Sequence, residues 1–278
     1  MKAAAILLTL LLAACASSRQ AVGPDLARTA GWRWDILPAG QFDIAAATSP
    51  NGGTGPLVLY LEGDGFAYVH PRQPSLDPTP SDPLALRLAM AHPGPEPVAW
   101  LGRPCQYVMP EHGQNCDTPY WTTRRYAPEI VDGVNAAIDI VKRRSGAEQI
   151  ILVGYSGGGA IAVLLAARRA DVVKVVTVAA DLDLTYWTKR DGLAPMEGSL
   201  DPASAAERLG RVPQVHFTGA KDHVVGTDVV SSFLRRLPAG TPARLEEIPD
   251  FTHDCCWVEA WPGLAAKALN GGQKETSE

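Results

Sequence analysis

The chain has 278 residues, 46% of them hydrophobic and 20% charged, a balance that suits one large globular domain with a full core. Its formal net charge of -5 gives no support for nucleic-acid binding. No C-x-x-C or H-x-x-x-H spacing occurs, which argues against a zinc site.

Met1-Lys2 is a small basic start, and Ala3 to Ala14 is an apolar run too short to span a bilayer, so residues 1–14 read as a signal peptide. Leu12-Ala13-Ala14-Cys15 resembles the lipobox of bacterial lipoproteins. That resemblance implies cleavage before Cys15 and acylation of its thiol and amine, and two or more acyl chains make a stable membrane anchor. Ala16, rather than aspartate, then implies the outer membrane, with the protein facing the periplasm. An ordinary secretory signal with a chance cysteine is the alternative. Residues 15–30 read as a flexible tether, and 31–270 as the folded domain.

Apolar runs alternate with helical patterns from about residue 41 to 269, which predicts an α/β fold: a mostly parallel central sheet with helices on both faces. Gln41 to Ala47, Leu57 to Leu61 and Val98 to Leu101 read as strands. Asp82 to Ala91 has helical spacing after a Ser-Asp-Pro start. Ala127 to Arg144 reads as a helix opened by Pro128-Glu129 and closed by basic residues and Gly146. Gln149 to Val153 and Val172 to Ala179 are buried strands. Asp181 to Gly210 is irregular, with a short helix near Pro202 to Leu209, and is too short for a large cap. Gln214 to Thr218 and Arg244 to Ile248 are the last strands; Asp228 to Leu237 and Cys255 to Leu269 the last helices. The polar tail, 271–278, reads as disordered.

After export four cysteines remain, and they allow three pairings. Cys105 to Cys116 is the preferred bridge, because it closes a loop containing Pro110 and Gly113 that lacks periodic structure. Cys255 and Cys256 could bridge each other, stay reduced or pair elsewhere.

Chemistry enters at Gly154-Tyr155-Ser156-Gly157-Gly158. A buried strand stops at a glycine-flanked serine and a helix starts at once, the pattern of a nucleophile elbow. The competing reading is a glycine-rich nucleotide loop, but G-x-G-x-x-G is absent in register and the lysine of a P-loop is missing. A serine hydroxyl needs a base, and the base needs an orienting acid. Asp222, just past the strand ending at Thr218, is the candidate acid; Asp181, Asp183 and Asp228 are weaker alternatives. His253, between the last strand and the last helix, is the candidate base. His223 and His216 are its rivals, His216 reading as a core histidine within a strand.

The order Ser156, Asp222, His253 resembles the α/β-hydrolase superfamily over residues 41 to 269. Leu59-Tyr-Leu-Glu-Gly-Asp-Gly-Phe66, Gly102-Arg-Pro-Cys-Gln-Tyr107 and Gly154-Tyr-Ser-Gly-Gly-Gly159 resemble, more narrowly, uncharacterised proteobacterial hydrolase-like lipoproteins. The superfamily resemblance implies an oxyanion hole made by the amide of Gly157 and by one from the loop after Leu61. The second donor is Asp64, or Gly65 or Phe66 if the loop is shifted. Many superfamily members carry His-Gly there, whereas this chain has Glu62-Gly63-Asp64-Gly65. Two carboxylates beside a developing oxyanion would repel it. They are expected to turn away and pair with Arg103, Arg124 or Arg125, or else to meet a positive substrate group. Phe66, Tyr155, Trp187 and His223 are the pocket candidates.

The function expected is a carboxylesterase-like serine hydrolase in the cell envelope. It would act on a small-molecule acyl substrate, without metal or organic cofactor and without nucleic acid. Amide or peptide hydrolysis, or acyl transfer, would use the same three residues. A non-catalytic envelope lipoprotein is the rival from another class.

Overall fold

The computed structural model describes residues 19–109 and 113–270. The leader 1–14, the Cys15 lipidation site and the tail 271–278 lie outside the described residues. The chain runs through helix α1 (19–29), strands β1 (Arg33–Ala39), β2 (Phe42–Thr48), β3 (Leu57–Leu61), β4 (Tyr68–His70) and β5 (Gln73–Pro74). Helix α2 (Leu84–Met90), strand β6 (Val98–Leu101) and helix α3 (Pro128–Ser145) follow. The second half alternates: β7 (Ile150–Tyr155), α4 (Gly157–Ala166), β8 (Val172–Val178), α5 (Leu184–Asp191), β9 (Gln214–Gly219), α6 (Thr227–Leu234), β10 (Ala243–Ile248) and α7 (Trp257–Asn270).

Eight strands form one sheet in the order β1-β2-β6-β3-β7-β8-β9-β10. The first two pairings are antiparallel, and every neighbour from β6 to β10 is parallel. Strand β3 shows how one sheet builds two cores. Its side chains alternate, so Leu57, Leu59 and Leu61 join α3, α4 and α6 on one face. Val58 and Tyr60 join α2 and α7 on the other. Buried indoles on that second face find acceptors, as buried tryptophans must: Trp261 donates to Tyr60 Oη at 2.9 Å and Trp100 to Glu62 at 3.0 Å. The second, two-stranded sheet is the β4–β5 hairpin.

Helix α3 has the ends its sequence predicts. Pro128 opens it, Lys142, Arg143 and Arg144 occupy the last turn, and Gly146 closes it at φ 72°. Cys105 and Cys116 are bridged, with Cα atoms 5.4 Å apart. Cys255 and Cys256, left open by the sequence, are joined to each other.

Three segments differ from the expectations. Residues 19–29 of the segment read as a tether form α1, whose Ala27 is fully buried, so the folded part starts before residue 31. Its small face lets Gly23 sit against the rings of Trp34 and Tyr107. Strand β1 was not anticipated; it is a half-exposed edge strand containing Pro38, and so lacks a run of buried positions. Helix α5 lies in the stretch read as irregular; Asp183 caps its start by accepting from the Tyr186 amide, and Gly192 ends it at φ 63°. Among the described residues no helix is long and apolar enough to cross a membrane.

Candidate active site

Ser156 occupies the turn between β7 and α4 with φ 49° and ψ -125°. A side-chain-bearing residue at positive φ is held there at a cost of about 1–3 kcal/mol, so its surroundings must impose it. They do: a Cβ on Gly154 would run into the backbone of Gly158 and Gly159, and one on Gly158 into the Leu61 carbonyl. The small residues let strand and helix cross closely enough to lift the serine above the sheet.

His253 and Asp222 arrive from the loops after β10 and β9. His253 Nε2 lies 3.0 Å from Ser156 Oγ, and its Nδ1 lies 2.9 Å from Asp222 Oδ2. The other Asp222 oxygen accepts from the amides of Val224 at 2.8 Å and Val225 at 3.0 Å, which fixes the carboxylate plane. Burial works against the charge of Asp222, but the His253 hydrogen bond and the two amides outweigh it and hold its pKa below the ordinary value. Burial likewise favours neutral imidazole, yet the bond to Asp222 and its charge outweigh that and raise the pKa of His253. With Asp222 ionised, the neutral ring carries its proton on Nδ1, leaving Nε2 to accept from the serine hydroxyl. The loop bearing His253 is tied down twice: Trp257 Nε1 donates to the carbonyls of Thr252 and His253, and Tyr155 Oη donates to Asp254 Oδ1 at 2.8 Å.

The other side of the serine is built from the end of β3. Gly63 lies against Tyr155 and Ser156, and Asp64 folds its carboxylate over Gly157. Asp64 is bound by Arg103 Nη1 at 3.0 Å and Arg125 Nη1 at 2.6 Å, two of the three expected partners. Arg124 pairs with Glu129 instead. Burial pushes the Asp64 pKa up, but the two guanidinium groups outweigh it and keep the carboxylate ionised. Glu62 finds no arginine. It accepts from the Trp100 indole, its neighbour Gly63, and the Ala85 and Leu86 amides in the first turn of α2. Burial still raises its pKa to about 7.

Tyr126 Oη lies 2.6 Å from Asp181 and 3.0 Å from Asp64. One hydroxyl proton cannot serve two anions. Burial, then the charge of Asp64, raises the pKa of Asp181 to about 7, which eases the competition for that proton. Asp181 is thus engaged here and Asp183 at α5, where Ser232 and Arg236 also hold it. Sequence reasoning missed Tyr126 and the Tyr155–Asp254 bond. No local motif marks either, since each joins residues far apart in the chain.

Gly157 supplies the first amide of α4, an N–H for which a helix offers no internal partner. Gly157 packs against Asp64, and Asp64 and Gly65 line a cavity of about 480 Å³ together with Ser156 and His253. Phe66, Tyr155 and Trp187 line it, together with Tyr68, Val224 and Asp254. His223 is a correction. Asp222 turns inward to accept from Val224 and Val225, and the next side chain is thrown out to solvent, away from the cavity. His216 is a fully buried core residue bonded to Thr177 and Gln214, and burial pulls its pKa down to about 3.

The model of the dienelactone hydrolase family matches residues 111–254, a span that includes Ser156, Asp222 and His253 and leaves out the Glu62 to Asp64 turn. No curated protein matches the chain. Among solved structures, it is similar to an α/β serine hydrolase homologue from Coxiella burnetii, at 13% identity and a TM-score of 0.60 over 87% of this chain and 97% of that one. A Pyrococcus furiosus esterase aligns at 12% identity and a TM-score of 0.61 over 88% and 92%. A Xanthomonas campestris protein described as a serine hydrolase without lid aligns at 13% identity and 0.57 over 88% and 97%. At such identities the likeness is one of fold.

Proposed function

The chain belongs to the dienelactone hydrolase family, and from that premise we propose a serine esterase that works through an acyl-enzyme. The observation that carries the reading is the unbroken relay from Ser156 to His253 at 3.0 Å and on to Asp222 at 2.9 Å, hung on a serine at positive φ. Ser156 Oγ attacks the acyl carbonyl as its proton passes to His253 Nε2, and Asp222 stabilises the imidazolium. The amides of Gly157 and of Asp64, or Gly65 beside it, receive the negative charge that develops on the carbonyl oxygen. Collapse breaks the ester bond, and His253 returns the proton to the leaving alcohol. Water, deprotonated by the same imidazole, then attacks the acyl-serine and releases the acid.

The two carboxylates beside the oxyanion position are compatible with this chemistry. Asp64 is neutralised by two guanidinium groups, and Glu62 points to the α2 amides. The lipobox-like Leu12 to Cys15 supports a location in the envelope, with acylated Cys15 holding the enzyme on the periplasmic face of the outer membrane. A fluorophosphonate probe tests the mechanism. One label per chain at Ser156 is expected, absent in Ser156→Ala; an active, folded protein that takes no label overturns it. Incorporation of labelled palmitate, lost in Cys15→Ser, tests the anchor.

A further inference from the structure

We propose that the cavity over Ser156 opens onto the membrane surface, and that its substrate is an acyl ester resident in that membrane. The inference rests on the esterase reading and the Cys15 anchor, and adds where the site faces. The described fold begins beside the active site: the Arg19 guanidinium stacks over the Phe66 ring, 4.7 Å from its centre, and Phe66 lines the cavity. Arg19 also meets Asp77, and Gln20 bonds to Asp77 and Thr79, so the start of α1 is fastened to the loop that follows the β4–β5 hairpin. Only three residues lie between Cys15 and Arg19, and the four Cα-to-Cα steps reach about 14 Å at full extension. Acyl chains on Cys15 would therefore hold the cavity rim close to the lipid headgroups.

The surface at that point suits lipid. Among the described residues four large apolar side chains are exposed; of these, Val224 lines the cavity, and Val69 and Leu76 lie on and just after the β4–β5 hairpin, whose Tyr68 also lines it. Leu76, next to Asp77, is 88% exposed and Val69, on β4, is 44% exposed, while Val224 stands 50% exposed on the cavity wall. From Gly65 to Leu76 there is no acidic residue, and Arg72, the one formally charged side chain there, is exposed. Apolar tips with a cationic flank are what an anionic bilayer surface attracts. The chain as a whole carries a net charge of -5, so this flank stands against the average of the molecule.

The test uses the full lipidated chain in phosphatidylethanolamine/phosphatidylglycerol vesicles, with one chromophore presented in two ways. p-Nitrophenyl butyrate is supplied in solution and p-nitrophenyl palmitate within the vesicles. Wild type is expected to turn over both. Val69→Asp with Leu76→Asp is expected to lose tenfold or more on the vesicle ester and stay within twofold on the soluble one. Equal behaviour of the variant on both esters, or a wild type that cleaves only the soluble one, overturns the proposal and leaves the esterase reading standing. A wild type inactive on both strikes at the esterase reading itself. Hydrogen exchange of the wild type decides the orientation without activity: amides of 68–76 should be at least threefold more protected on vesicles than in the Cys15→Ser chain. Unchanged protection there overturns the proposal.

Discussion

The two sides of Ser156 use aspartate in opposite ways. On one side Asp222 has a single side-chain partner, His253, and is positioned by two backbone amides from its own turn. On the other, Asp64 is met by Arg103, Arg125 and Tyr126, with Asp181 behind them. The difference follows from when the compensating charge exists. In the proposed mechanism Asp222 faces a ring that becomes a cation only during the reaction, so it must be held and left unneutralised until then. In the same mechanism Asp64 sits where negative charge is to develop, so its own charge must be cancelled beforehand by permanent cations. A carboxylate in a buried site is harmless or useful according to whether its counter-ion is already there.

Substitutions on the two sides should therefore fail differently. Ser156→Ala removes the element both sides share and is expected to lower kcat/KM by about 10⁵-fold or more, with the unfolding midpoint unchanged. Asp222→Asn should cost about 10⁴-fold, by favouring the wrong imidazole tautomer, again with stability nearly intact. Asp64→Ala should do the reverse in kind, destabilising the fold by about 3–5 kcal/mol in denaturant titration, because two buried guanidinium groups lose their anion. An Asp64→Ala protein as stable as wild type would break the comparison.

Smaller effects sharpen it. His253 must be neutral to accept the serine proton, so kcat/KM falls as pH drops through its pKa. Because Asp222 outweighs burial and raises that pKa, the acidic limb should lie above the ordinary imidazole value of about 6.5. In Asp222→Asn the two largest raising interactions are gone, and the ring titration followed by NMR should move down. His223→Ala should leave kcat/KM within twofold, in keeping with a side chain turned to solvent.

The legible parts of this site were local or ordered along the chain. Ser156 announces itself because strand, glycines and helix are contiguous. Asp222 and His253 could be picked out because each follows a recognisable strand, and parallel strands deliver their following loops to one edge of the sheet. Arg103 and Arg125 were nameable as partners only because two carboxylates beside an oxyanion demanded cations. The Tyr126 hydroxyl between two acids carries no such signature: it is one more tyrosine before a helix until the fold sets the loops after β3 and β8 on either side of β7. Helix α5 was in principle readable, since Asp183 and Gly192 bracket it as cap residues, but Leu184 and Trp187 gave it only a short apolar stripe. Helix α1 was hidden for a different reason. Its short, mixed sequence resembles a spacer, and its burial comes from one small face against Trp34 and Tyr107.

That docking has a practical side for anyone preparing the protein. A recombinant version trimmed to begin at residue 31, where a spacer would have ended, would uncover the Trp34 and Tyr107 rings that pack against Gly23 and would remove Arg19 from Phe66. It would be sticky where it should be dry and loose where the substrate enters. Trimming at residue 16 keeps both contacts, so only the shorter cut should mimic the native catalyst in water.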